Sequence, residues 1–243
     1  MFDVRLTAIS EALLEYGKTI PPEVLLPTVI PEAAEIVAHD PYAFCIATCL
    51  DRGTKAEIIW TIPYDIKNAL GHLDPFRIHN LSLDALARLF NHLPRHPRYI
   101  NAAPRTLKEL TRIVVEECAG DASRIWKGKR ASEVKRTFES IYGVGPGIAS
   151  MGILLIEKAF AVRFEDHWNM DIKPDVHTTR VLYRLGVSTE ETVEAALEAS
   201  RRMNPAFPGI VDSALWEIGR NWCRPNAPNC RRCPVEEVCG KIL

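Results

Sequence analysis

Four of the seven cysteines crowd into the last 21 residues: Cys223, Cys230, Cys233 and Cys239, in the spacing C-x6-C-x2-C-x5-C. The opening Met1-Phe2-Asp3-Val4-Arg5 has no basic stretch, apolar run or small-residue cleavage site of the kind that directs secretion. A cytoplasmic (nucleoid-associated) or nuclear location is therefore expected, where thiols stay reduced. Four thiols on a short, loop-rich tail there read as metal ligands before disulfides. A structural zinc and a [4Fe-4S] cluster both use four thiolates. Zinc sites are usually built as two knuckles with two to four residues between ligands, which the six- and five-residue gaps fit poorly. A single loop around a cubane fits them better; zinc remains the alternative. Cys45 and Cys49, four apart on an apolar segment, and Cys118 read as core.

A second pattern is Tyr142-Gly143-Val144-Gly145-Pro146-Gly147, set between two helical stretches. A Gly-x-Gly turn lets the chain reverse tightly, and Pro146 falls where a first-turn proline starts a helix. The free N–H groups at such a start, at the positive end of the helix dipole, can hold a phosphate. A Gly-x-Gly pair alone is usually just a turn. Here a basic run, Arg124, Lys127, Lys129, Arg130, Lys135 and Arg136, precedes it. Such a run can also be merely a solvated face.

The elements that must position these residues read as helices throughout. Leu6, Ile9, Leu13 and Tyr16 recur at helical spacing, with Gly17 as a stop. Asp40-Pro41 reads as a cap opening a helix through Leu50, and Ser82 caps another. Thr54–Glu57 predicts a capping box for a helix ending near Gly71, and Ser188–Glu191 one for a helix reaching Met203. A further helix is expected from about Pro104 to Cys118. Val162–Asp175, mixing charges, aromatics and a proline, is expected to be a long connection. No stretch alternates with strand period, so the fold class is all-α.

The 243 residues suffice for one large domain or two ordinary ones, and 47% hydrophobic with 25% charged residues excludes a disordered tail. No run approaches the roughly 18 apolar residues of a membrane span, so no membrane partner is expected. The net charge of -1 argues against coating nucleic acid by bulk electrostatics. It is, however, a sum of opposed regions. Residues 1–40 carry two basic against seven acidic side chains, residues 95–136 eleven against five, and residues 220–243 five against two. A basic face is compatible with overall neutrality.

With the cysteine spacing, Gly143-Val144-Gly145 and the segment Asp175-Val176-His177-Thr178-Thr179-Arg180-Val181 together, the chain resembles the endonuclease III branch of the helix-hairpin-helix DNA glycosylases. The first matches the family's iron–sulfur loop, the second its Leu-Pro-Gly-Val-Gly hairpin, and the third its Val-Asp-x-His-x-x-Arg-Val segment. Gly219-Arg220 before Cys223 also fits. These motifs span residues 141–239. The resemblance implies two helical lobes flanking a DNA-binding cleft. A six-helix barrel of about 25–162 would carry the hairpin (about 132–160), and 1–24 with 163–243 would form the cluster lobe. It also implies a monomer acting on double-stranded DNA that contains a damaged or mismatched base.

On that resemblance Asp175 is the catalytic carboxylate, stabilising an oxocarbenium-like transition state and orienting a water. Read from the residues alone, Asp175 is a helix cap. Gly143, Val144, Gly145, Gly147, Lys129, Arg130 and Lys135 are the expected DNA contacts. Arg52 stands where the family places a residue that fills the gap left by a flipped base, with His96 and Arg98 as alternatives. Tyr142, Trp168, Lys173 and His177 are candidates for the base pocket, against a default of packing or solvation.

Two features depart from the family. Gly147 occupies the position of the lysine that gives bifunctional members their strand-cutting Schiff base. Gly147 to Asp175 is also longer than the family pattern by about ten residues, which fall in Arg163–Pro174. The expectation is a monofunctional glycosylase that hydrolyses the N-glycosidic bond and leaves the abasic site uncut. The alternatives are a glycosylase/lyase using another amine, Lys173, and a non-catalytic protein that binds damaged DNA.

Overall fold

Proline sets many of the helix starts. Its missing N–H would be unpaired in a first turn anyway, and its fixed φ suits one. The structure, a computed structural model, describes residues 4–242. It divides into two compact units, Pro22–Glu165 and the combination of Met1–Pro21 with Asp166–Leu243. Among the described residues there is no strand. No helix among them is long and apolar enough to cross a membrane.

The chain enters through α1 (Val4–Lys18) of the discontinuous unit. The contiguous unit follows with α2 (Pro22–Leu25), α3 (Pro31–His39), α4 (Pro41–Leu50), α5 (Ala56–Ile59), α6 (Ile62–Leu70) and α7 (Pro75–His79). Then come α8 (Leu83–His92), α9 (Ala103–Arg112), α10 (Ala131–Glu139) and α11 (Pro146–Ala159). The chain returns to the first unit through α12 (Val176–Leu185), α13 (Val193–Met203) and α14 (Asp212–Asn221).

Helix α4 is the axis of the contiguous unit. Every residue from Tyr42 to Leu50 is buried, as expected of a helix apolar on all sides. Phe44 meets Trp60, Trp126 and Phe160 at ring-centroid distances of 5.5, 6.1 and 5.1 Å. Cys45 and Cys49 lie in this core, where burial pushes both thiols far above their ordinary pKa. As read from the sequence, the Asp40 carboxylate caps α4 by accepting the Tyr42 and Ala43 N–H groups, and the Ser82 hydroxyl caps α8.

Other boundaries differ from the sequence pattern. Gly17 does not end α1; the helix runs to Lys18, and Gly17 faces the Ala214 side chain. Thr54 caps nothing, because its hydroxyl accepts the N–H of Arg98 from a distant loop. The single helix expected up to Gly71 is split in two, since Pro63 near the start of α6 cannot donate to the preceding turn. Ser188 turns its hydroxyl to the Glu190 carbonyl, and Thr192 caps α13 instead. The helix expected from Pro104 to Cys118 becomes π-helical over Ile113–Glu117. Val162–Asp175 includes a 3-10 turn at His167–Asn169.

Candidate functional site

The hairpin lies between α10 and α11 in the contiguous unit. Gly143 has φ 81°, in the left-handed region open to glycine, and Gly145 is extended at the N-cap of α11. Val144 is buried and anchors the turn. No side chain caps α11, and the N–H groups of Gly145, Gly147 and Ile148 meet no acceptor among the described residues.

The turn is held from α9. The Glu109 carboxylate accepts the Tyr142 N–H at 2.6 Å, and the Thr106 hydroxyl donates to the Tyr142 carbonyl at 2.8 Å. Arg105 stacks over the Tyr142 ring, 4.0 Å from its centroid. Arg52 does not project as a free wedge. Its guanidinium lies against Gly143, where an added Cβ would be 2.1 Å from Nη1, and faces the Tyr99 ring. Arg98 approaches that same ring, while His96 is exposed. Lys129 and Arg130 are exposed just before α10 and Lys135 is half-buried on it. Within the upstream run Arg124 and Lys127 stand 3.9 and 3.7 Å from Asp121.

Asp175 opens α12 in the other unit. Its Oδ1 accepts the His177 and Thr178 N–H groups at 2.8 and 3.1 Å, and its own N–H donates to the Thr178 hydroxyl at 2.9 Å. Its Oδ2 accepts no hydrogen bond among the described residues. Of the pocket candidates in this unit, Lys173 is half-buried and donates its backbone N–H to Asp212. His177 packs against Gly219 of α14 and touches Arg180 through Nδ1. Trp168 is 56% exposed on its 3-10 turn, next to His167, whose ring stacks on Phe207 at 4.3 Å. Asp171, three residues on, forms a two-point ion pair with Arg201.

The cysteine tail lies in the same unit as Asp175. Cys223, Cys230, Cys233 and Cys239 line one pocket, walled by Val181, Leu185, Ile218 and Val235. All four are unbridged and half-buried. Burial, and secondarily the neighbouring thiols, pushes Cys233 and Cys239 above the ordinary thiol pKa. Donors reach the sulfurs: Arg184 Nη1 lies 3.8 Å from Cys223 Sγ, and the Lys241 N–H donates to Cys239 Sγ at 3.4 Å. Among the described residues no three His, Cys, Asp or Glu are arranged to hold one metal ion.

Arg180 and Arg184 hold the backbone on either side of Cys223, a role that the sequence did not single out. The buried Arg180 donates to the carbonyls of Cys223 (2.7 Å) and Gly219 (2.9 Å), and Arg184 to those of Arg224 (2.7 Å) and Pro225 (2.9 Å). Both project from α12 at four-residue spacing, yet their acceptors are backbone groups about 40 residues away. Thr106 and Glu109 were also missed, and no local pattern marks them.

No family model matches the chain. By sequence it is 25% identical to rat adenine DNA glycosylase over 200 residues, which is 80% of this chain and 32% of the rat protein. The human adenine DNA glycosylase is 28% identical over 141 residues, 56% of this chain and 22% of the relative. The matched stretch thus spans about a third of the rat protein's length. Among solved structures, a thermostable thymine-DNA glycosylase aligns with TM-score 0.63 and 19% identity, covering 98% of this chain and 96% of that one. An endonuclease III trapped as a covalent intermediate with DNA aligns with TM-score 0.61 and 17% identity, covering 84% of each chain. The fold is that of these helix-hairpin-helix DNA glycosylases.

Proposed function

We propose that the chain is a base-excision repair DNA glycosylase that hydrolyses the N-glycosidic bond of a damaged or mismatched base in double-stranded DNA. The observation that carries this is the split use of the Asp175 carboxylate. Oδ1 is fixed by two backbone N–H groups, which sets the orientation of the group, while Oδ2 keeps its lone pairs free. A carboxylate so held can face developing positive charge on the sugar and orient a water without rearranging. The hairpin supplies the complementary element, unpaired N–H groups at the start of a long helix, suited to a backbone phosphate. Trp168 supplies an exposed aromatic face for a base taken out of the stack.

The reaction ends at the abasic site. Gly147 has no amine with which to form a Schiff base. Lys173 is the amine nearest to Asp175 in sequence and carries the rival reading, a glycosylase/lyase. We read the cysteine pocket as the seat of a [4Fe-4S] cluster held by Cys223, Cys230, Cys233 and Cys239, with zinc as the alternative. Such a group would cross-link the C-terminal tail. Arg180 and Arg184 hold the backbone beside Cys223, and Cys239 and Lys241 complete the rim.

The test is a panel of duplexes carrying adenine, thymine and uracil mismatches, hypoxanthine, and alkylated or oxidised bases. Release of one base, with strand cleavage only after alkali and no adduct under borohydride, is expected. A borohydride-trapped adduct selects the lyase reading. Binding without release, unchanged in Asp175→Asn, selects a non-catalytic binder.

A further inference from the structure

Beyond the contacts that α9 makes to Tyr142, the hairpin is covered by one side chain from far away in sequence. An added Cβ on Gly143 would lie 2.1, 2.7 and 2.9 Å from Nη1, Cζ and Nη2 of Arg52. Three guanidinium atoms at comparable closeness mean that the planar group lies across the glycine, in space a side chain would fill. Arg52 Nη2 also donates to the Thr106 hydroxyl at 3.3 Å, and that hydroxyl donates to the Tyr142 carbonyl at 2.8 Å. The guanidinium also lies over the Tyr99 ring, with Cζ 5.3 Å from its centroid. No carboxylate pairs with Arg52 among the described residues, so its charge stays beside the turn uncompensated. A planar cation with a fixed fork of donors suits this place, and a lysine ammonium does not.

We propose that Arg52 is a positioning residue that clamps the left-handed turn at Gly143, so that the free N–H groups of Gly145, Gly147 and Ile148 are preorganised for a duplex backbone phosphate. The inference rests on the DNA-binding reading of the hairpin for its ligand, but not for the clamp itself. It differs from the wedge role because the side chain acts through the hairpin instead of entering the duplex.

The decisive variant is Arg52→Lys, which keeps the charge and loses the plane, with Thr106→Val as a second break in the same relay. Two quantities are read: hydrogen exchange of the Tyr142 and Val144 amides in the free protein, and affinity for undamaged duplex against salt. Both amides are bonded in the clamped turn, to Glu109 and to the Ile141 carbonyl. Arg52→Lys is expected to speed their exchange and weaken binding by roughly tenfold, the scale of one lost charged hydrogen bond, at an unchanged salt slope. Thr106→Val should accelerate the same two amides. Wild-type exchange and affinity in Arg52→Lys overturn the clamp. So does Arg52→Met with wild-type exchange and a salt slope lower by about 1, the mark of a direct phosphate contact. If the wild type binds no duplex, the DNA reading fails and the exchange measurements alone still decide the clamp.

Discussion

A methyl group on Gly219 would stand 2.7 Å from His177 Cβ and 2.9 Å from His177 Cα, so α12 and α14 touch at backbone distance there. The contact joins the helix that Asp175 opens to the helix that leads into Cys223. Arg180 closes the same junction from α12 by donating to the Gly219 and Cys223 carbonyls. Gly219→Ala must push the helices apart, because His177 Cβ, Cα and carbonyl oxygen are fixed by the α12 backbone and cannot rotate away. A loss of about 1–3 kcal/mol is expected, as for other overpacked sites. Urea unfolding gives the number. An unshifted midpoint means the junction is looser than its geometry indicates.

Asp175 carries two roles that two substitutions separate. Asparagine caps a helix about as well as aspartate, whereas alanine costs about 1 kcal/mol. Asp175→Asn should therefore keep the melting temperature while losing base release, and Asp175→Ala should lose both. Single-turnover base release and thermal melting on the same preparations check this. Full activity in Asp175→Asn would leave the residue as a cap only.

Trp168 is the most exposed of the tryptophans; Trp60 and Trp126 lie in the core. Tryptophan emission should fall when duplex containing the released base's site is added, and Trp168→Phe should remove most of that change. Trp168→Ala should slow base release more than it weakens binding to undamaged duplex. Equal quenching in Trp168→Phe places the base elsewhere.

Removal of one thiol tests the metal site by a route separate from catalysis. Cys233→Ser should lose bound iron and visible absorbance, and should open the rim formed by Arg184, Cys239 and Gly240. Limited proteolysis is expected to cut near the C-terminus first, with α4 and its neighbours intact. A colourless wild type holding one equivalent of zinc selects the other metal.

How far the sequence carried follows from the range of the contacts. The cysteine spacing, the Gly-x-Gly turn, the Asp40 and Ser82 caps and the Asp175 cap are written within about 17 residues each, and all were readable. The grip on the hairpin was not, because Arg52, Thr106 and Glu109 meet Tyr142 and Gly143 only once α4 and α9 are packed. Thr54 shows the same limit from the other side: a local capping pattern lost to a long-range acceptor role toward Arg98. Arg180 stood inside a recognisable segment, yet its carbonyl acceptors carry no side-chain signature.

Tyr42 contributes to the alkaline pH dependence of the contiguous unit, together with the buried thiols of Cys45 and Cys49. It is 3% exposed, and its hydroxyl lies 2.5 Å from that of Thr111. The Thr111 hydroxyl donates to the Leu107 carbonyl at 2.6 Å, so Tyr42 is the donor in the pair and must keep its proton. Burial raises the phenol far above its ordinary value of 10.0, with smaller contributions from Cys45 and Asp40, against a lowering by the Thr111 bond. In the unfolded chain the phenol ionises near its ordinary value, while in the folded chain it stays neutral. Its contribution to stability is thus complete below pH 10 and is lost as pH rises toward the folded value, by up to about 1.4 kcal/mol per pH unit. Tyr42→Phe should cost about 0.5–1.5 kcal/mol at neutral pH, the net value of one hydrogen bond. It should also flatten the decline above pH 10. Urea unfolding of both proteins at pH 8 and at successive steps above 10 measures the difference, and parallel declines would assign the alkaline loss to other groups.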